Sequence, residues 1–236
     1  MNLHEPSLYI EMVGPSGVGK TSLVEAIYNE IPKYCVSIRG GVTKRRIQNI
    51  INTFTSKKRM QQFIRQYYYL RNAKGVSRRN ACWRAAAMAG MSVCYRLTHR
   101  KPFAVLVEEG PVSYLASCGQ YTDRWQEWID VLLPAPASVR PVYVMLTASN
   151  EELCRRAIKR GRQPQRRTSP KGTEDVSAKV RADARKYWMA RLSEQDAFCV
   201  VIDTEGKSAD AVGQILLKFL KSNNLIDPYS GYKESN

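Results

Sequence analysis

Eight consecutive residues carry the strongest chemical signal in this 236-residue chain: Gly14, Pro15, Ser16, Gly17, Val18, Gly19, Lys20 and Thr21. They spell GxxxxGK[ST], the phosphate-binding P-loop pattern. Glycines let the backbone wrap closely around a phosphate, and the amides that open the following helix point at it. Lys20 supplies a point charge for the β- and γ-phosphates, and the Thr21 hydroxyl suits Mg2+. ATP and Mg2+ are therefore the expected cofactors. The setting agrees, because residues 7–13 read as a strand and residues 22–30 as a helix that Pro32 stops.

A second site follows Phe103-Ala104-Val105-Leu106-Val107, a continuous apolar run of the kind buried on both faces of a parallel sheet. Its C-terminal end delivers Glu108 and Glu109, and ligands of open α/β sheets bind at that edge. One carboxylate is expected to orient Mg2+ and the other to accept a proton from an attacking hydroxyl. Glu108 is preferred as metal support because it directly follows the apolar run; the sequence alone does not separate it from Glu109.

A third cluster is cationic. Arg155, Arg156 and Arg160 lie on a helix that Gly161 should end, and Arg162, Arg166 and Arg167 follow in a polar loop over residues 161–173. Arg156 and Arg160 are four apart and share a helical face. Phosphoryl transfer needs positive groups around the migrating charge, and a basic lid closing over the phosphates would supply them. Arg156, Arg160, Arg162 and Arg166 join Lys20, Glu108 and Glu109 as candidate catalytic residues.

The remaining elements must position these groups. Strands are expected at residues 35–38, 139–146 and 197–202. Helices are expected within 77–97 and 114–133, and at 151–160, 174–195 and 209–220. Met60, Phe63, Ile64 and Tyr67 recur at the helical period. The alternation predicts an α/β fold: a five-stranded parallel sheet with helices on both faces and a basic helical insertion between strands 2 and 3. One domain over residues 1–222 is expected, with the insertion at 41–101 and a frayed tail at 223–236. Asp203 and Thr204 follow the last strand.

Composition narrows the function further. The chain is 44% hydrophobic, which excludes a fully disordered chain, and no apolar run reaches the roughly 18 residues of a membrane span. Six scattered cysteines without a CxxC pair, and only two histidines, argue against zinc and against a disulfide scaffold. Residues 1–6 lack the basic-then-apolar pattern of a secretory leader, so a cytoplasmic location is expected. The net charge is +16, and residues 31–107 hold 17 basic residues and no acidic one. A solvated helix normally mixes signs, so a one-sign block predicts a surface that meets anions.

With these residues in view, the P-loop and its setting resemble the nucleoside and nucleotide kinase group of P-loop proteins. The 14–17 opening resembles guanylate kinase and the ribose bisphosphate phosphokinases. Leu153, Arg156, Arg160, Gly161 and Arg162 resemble the lid of thymidylate kinase. The resemblance covers residues 7–30 and 103–215 and implies a P-loop kinase fold, with Asp203 and Thr204 near the adenine base of ATP. One departure is plain: Glu108-Glu109-Gly110 has no arginine where thymidylate kinases carry Asp-Arg after the third strand and deoxynucleoside kinases Glu-Arg-Ser.

The acceptor region of the group falls on the basic insertion, where Tyr67, Tyr68, Tyr69, Trp83 and Tyr95 stand among the cations. So strong a charge favours a large or multiply charged acceptor. The preferred expectation is a Mg2+-dependent kinase acting on a hydroxyl of a sugar or glycan, anionic or membrane-associated, with peripheral contact at the inner membrane surface through residues 41–101. The alternatives are a nucleotide or polynucleotide kinase, and a P-loop NTPase switch or DNA-associated ATPase.

Overall fold

The structure is a computed structural model that describes residues 8–28, 30–31, 35–38, 57–71, 78–79, 81–86, 104–117, 140–161, 173–195 and 197–226. Five strands, β1 (Leu8–Val13), β2 (Cys35–Ile38), β3 (Ala104–Val107), β4 (Arg140–Thr147) and β5 (Phe198–Asp203), form one sheet in the order β2-β3-β1-β4-β5. All four pairings are parallel. The described helices are α1 (Lys20–Tyr28), α2 (Lys57–Arg71), α3 (Pro111–Ser117), α4 (Asn150–Lys159), α5 (Thr173–Ser193) and α6 (Ala209–Ser222).

β1 lies at the centre, and all six of its residues are buried. Side chains alternate across a strand, so β1 serves two cores. Leu8, Ile10 and Met12 pack with Leu23 and Ile27 of α1 and with Leu216 and Leu220 of α6. Tyr9 and Val13 face the other way, toward Leu70 of α2, Leu115 of α3 and Trp188 of α5. Helices thus cover both faces, as the alternating pattern predicts. β1 has β3 on one side and β4 on the other, so the strand order reverses there. The ends of these strands form the crevice where such sheets bind ligands.

Four details differ from the sequence reading. α3 starts at Pro111, not near residue 114. Proline reads as a break, yet it suits the first turn of a helix, where its missing N–H costs nothing. β5 runs one residue further than expected and includes Asp203. In α2, Met60 and Ile64 are exposed, while Gln66 and Leu70 are buried and Phe63 and Tyr67 stack with centroids 6.0 Å apart. The inward face is therefore rotated from the 60–63–64–67 stripe. Finally, Leu225 and Ile226 are buried in the core. Asn224 adopts φ 53°, and the Leu225 N–H returns to the Leu220 carbonyl at 2.9 Å, folding the chain back beyond residue 222. Within the insertion, residues 81–86 are helical, with Ala81, Ala85 and Ala86 buried. The expected helix within 114–133 beyond residue 117, and the loop at 162–172, lie outside the described residues.

Candidate active site

The P-loop takes its shape from glycines at positions no other residue would fill. Gly17 and Gly19 hold φ of 89° and 107°, in the left-handed region. A Cβ on Gly14 would stand 2.8 Å from the Leu146 carbonyl of β4. Lys20 is buried, and its ammonium donates to the carbonyls of Gly14 at 2.9 Å and Pro15 at 3.1 Å. Burial holds Lys20 below the usual lysine range, opposed by the charges of Glu109 and Glu108.

The two carboxylates at the end of β3 take different partners. Thr21 Oγ1 donates to Glu108 Oε1, and Glu109 Oε1 lies 3.9 Å from the Lys20 ammonium. Thr21 and Glu108 together present hard oxygen donors of the kind Mg2+ accepts beside nucleotide phosphates. Glu109 is more than half exposed. Pairing of β3 directly against β1 brings residues 87 apart in sequence into this cluster.

The other side of the loop opens on a cavity of about 470 Å³, lined among others by Val18, Gly19, Arg156, Arg160, Thr204 and Lys207. Arg156 does not hang over it as a free lid cation. Its guanidinium donates to Glu152 at 2.6 Å, to the Val18 carbonyl and Thr204 Oγ1 at 3.0 Å each, and to the Thr204 carbonyl at 2.7 Å. Thr204 Oγ1 in turn lies 3.0 Å from the Thr147 carbonyl and 3.2 Å from the Val18 carbonyl, either of which can accept its one proton. The P-loop, α4 and the loop after β5 are thereby tied together. Hydrogen bonds from Arg155 and Arg156 pull the Glu152 carboxyl down to about 2. Glu205 reinforces the junction by accepting from the N–H and hydroxyl of Ser149, the N-cap of α4. Asp203 is exposed and accepts the Glu205 N–H at 3.1 Å. Arg160 is exposed at the C-cap of α4, with Gly161 next at φ 63°, as the sequence predicts. Arg162 and Arg166 lie outside the described residues.

Three further residues escaped the sequence reading. Arg185 of α5 is close enough to Lys20 to lower its affinity for a proton, and burial plus the like charge of Arg181 hold Arg185 below its own ordinary range. Arg185 makes no hydrogen bond or ion pair with a described residue. The Arg181–Arg185 spacing was the available signal, because like charges four apart on a helix destabilise it unless an anion intervenes. Glu11 is fully buried in the middle of β1, where burial pushes its carboxyl up to about 7 against the pull of the Ser113 N–H and the Tyr9 hydroxyl. A lone carboxylate inside Leu-Tyr-Ile-Glu-Met-Val was the signal there. Gln66 is also buried, and neither its Nε2 nor its Oε1 has a partner among the described residues.

A family model described as the ATPase family associated with various cellular activities (AAA) matches residues 10–67, the stretch from β1 into α2. No curated protein matches the chain. Among solved structures, a deoxyadenosine kinase from M. mycoides, with dCMP and dCDP bound, is 14% identical at a TM-score of 0.50, covering 91% of this chain and 99% of that one. A thymidylate kinase from Candida albicans is 13% identical at a TM-score of 0.50, covering 93% of each chain. The fold is that of the P-loop kinases. The Lys20–Thr21–Glu108–Glu109 cluster lies beside the P-loop, and the cavity lined by Arg156 and Thr204 opens next to Val18 and Gly19 of the same loop.

Proposed function

We propose that the protein is a Mg2+-dependent phosphotransferase that takes the γ-phosphate of ATP and passes it to a nucleoside or nucleotide. The observation that carries this is the two-ended P-loop. One end meets two carboxylates and the half-buried Arg185, and the other opens on a cavity large enough for a nucleoside. In this reading the adenosine enters the cavity beside Arg156 and Thr204. Lys20 leaves the carbonyls of Gly14 and Pro15 for the β- and γ-phosphates. Thr21 and Glu108 hold the metal, which supplies charge neutralisation at the phosphates. With a nucleoside as acceptor, Glu109 takes the proton of its hydroxyl as that oxygen bonds to phosphorus; with a nucleotide, an anionic phosphate oxygen attacks and no proton is moved; in both cases the bond to the β–γ bridging oxygen breaks, releasing ADP. Arg185 offsets the charge that builds on the moving phosphoryl group.

The expected sugar or glycan acceptor finds no support in the similar structures, and the nucleotide alternative fits better. The kinases from M. mycoides and Candida albicans both act on nucleosides or nucleotides by name. Gln66 adds a physical reason. A buried amide with a donor and an acceptor both unmet among the described residues suits a ligand carrying the complementary pair, as a nucleobase edge does. Its helix, α2, lies in the acid-free insertion and covers the sheet face shared with α3 and α5.

The test is a transfer assay with ATP labelled at the γ-phosphate and Mg2+, offering deoxynucleosides, nucleoside monophosphates, oligonucleotides and phosphorylated sugars in parallel, with Lys20→Ala as control. Label in a nucleoside or nucleotide supports the proposal. Label in sugar phosphates, or only free phosphate across the whole panel, overturns it.

A further inference from the structure

Glu11 is a carboxylate in the worst place for one. It sits at zero exposure on the central strand, opposite Val107 of β3 and Tyr143 of β4, on the face it shares with Tyr9 and Val13. Leaving a carboxylate there without partners would be costly. Instead both oxygens are held: the Ser113 N–H donates to Oε1 at 2.8 Å, and the Tyr9 hydroxyl donates to Oε2 at 2.8 Å. The Val112 N–H also serves the carboxylate. Ser113 Oγ, meanwhile, donates to the Met12 carbonyl at 2.9 Å, fastening the same turn to β1 a second time.

The contact with Gly110 is closer still. A Cβ on Gly110 would fall on the carboxyl carbon and Oε2 of Glu11, and 2.7 Å from the Tyr9 hydroxyl. Gly110 therefore lies directly on the Glu11 carboxylate, with Glu108 and Glu109 immediately before it and Val112 and Ser113 soon after. Gly110 has no side chain with which to satisfy the N–H groups that open α3, so β1 supplies the acceptor from below. The same strand, three residues on, begins the P-loop at Gly14. One short stretch of backbone thus holds both halves of the phosphate end.

We propose that Glu11 is a positioning residue: it seats the Glu108–Glu109–Gly110 turn so that Glu108 meets Thr21 and Glu109 meets Lys20. The inference rests on the reading of Glu108 and Glu109 as the phosphate-side carboxylates, but it makes separate demands. A carboxamide at position 11 keeps one acceptor for the Ser113 N–H and a group that the Tyr9 oxygen can meet, so the turn stays seated. An alanine removes both, and it also empties the space that forbids a side chain at 110.

The experiment compares Glu11→Gln, Glu11→Ala, Gly110→Ala and the double variant Glu11→Ala/Gly110→Ala in the full chain. It reads turnover and KM for ATP, the Mg2+ dependence of nucleotide binding, and thermal melting. Glu11→Ala should lower turnover about 10- to 100-fold, the scale of a misplaced catalytic group, while KM for ATP stays near the parent value. Glu11→Gln should restore turnover. Gly110→Ala should be damaging in the parent and markedly less so in the Glu11→Ala background. Parent-like turnover in Glu11→Ala overturns the proposal, as does equal damage from Gly110→Ala in both backgrounds. If Glu11→Ala does not fold, Glu11→Gln and Gly110→Ala still decide: loss of turnover in Glu11→Gln, or none in Gly110→Ala, sinks it. Failure of the functional reading is distinct, showing as a parent protein without turnover. The Mg2+ dependence of nucleotide binding then reads the same variants, and an unchanged dependence in Gly110→Ala counts against Glu11.

Discussion

Replacing Arg156 by alanine should cost the protein both stability and its nucleotide. Arg156 is only 18% exposed and makes one ion pair with Glu152 and three hydrogen bonds to Val18 and Thr204. Charge-assisted bonds contribute about 1.5–3 kcal/mol each when lost singly. Three such bonds would sum to more than the net effect, because two features offset the loss. Thr204 Oγ1 keeps its own bond to the Val18 or Thr147 carbonyl, and the adjoining cavity lets water reach the freed carbonyls. The expected loss is about 3 kcal/mol, or a fall in Tm of roughly 6–12 °C for a chain of this size. Arg156→Lys should recover about half of it, since one ammonium cannot reproduce a planar fork that spans Glu152, Val18 and Thr204. Differential scanning fluorimetry with and without Mg-ATP is the assay. ATP should raise the Tm of the parent protein and barely move that of Arg156→Ala. A destabilisation under about 1 kcal/mol, with an undiminished ATP shift, would refute the view that Arg156 joins the P-loop to the nucleoside cavity.

Other outcomes follow from the same geometry. Lys20→Met should abolish phosphoryl transfer without lowering Tm, because it removes an ammonium that burial already disfavours; residual turnover near that of the parent would remove Lys20 from the chemistry. Arg185→Ala should lower turnover about 100-fold with a smaller effect on ATP binding, as expected of a group that acts on transition-state charge, and equal losses in both would assign it to ground-state binding. The Glu11 carboxyl is raised from 4.5 to about 7 in the folded protein, so folding takes up a proton in that interval. Its contribution is therefore most favourable below pH 4.5 and is lost as pH rises through 7, at up to about 1.4 kcal/mol per pH unit. Urea unfolding across a pH range of about 5–8 should show that slope in the parent and a flatter one in Glu11→Gln; identical slopes would contradict the burial of a titrating carboxylate at position 11.

The parts of this molecule legible in its sequence are those where local chemistry dictates structure. Gly14–Lys20 could be placed because positive φ and close backbone approach demand glycine at set spacing. Glu108 could be placed because an apolar run announces a buried strand and its end announces the crevice. Gly161 was legible as a helix stop for the same local reason. What stayed hidden depends on tertiary contact. Glu11 looks like an interruption in a strand until Gly110 and Ser113, about 100 residues away, are brought against it. Arg156 reads as a lid residue until Val18 and Thr204 meet it across the sheet edge. The start of α3 at Pro111 is hidden because the N–H groups of its first turn find their acceptor in Glu11, on another strand. Leu225 and Ile226 look like tail because the reversal that buries them turns on a single left-handed asparagine.

The most direct test of the central claim is to map where ATP sits. The protein would be irradiated with 8-azido-ATP and Mg2+, digested, and the labelled peptides sequenced, with unmodified ATP as competitor. Label is expected on the segments that border the cavity, around residues 155–160 and 204–209, suppressed by ATP and lost in Arg156→Ala. Label confined to other segments, or label that ATP does not displace, would contradict the claim.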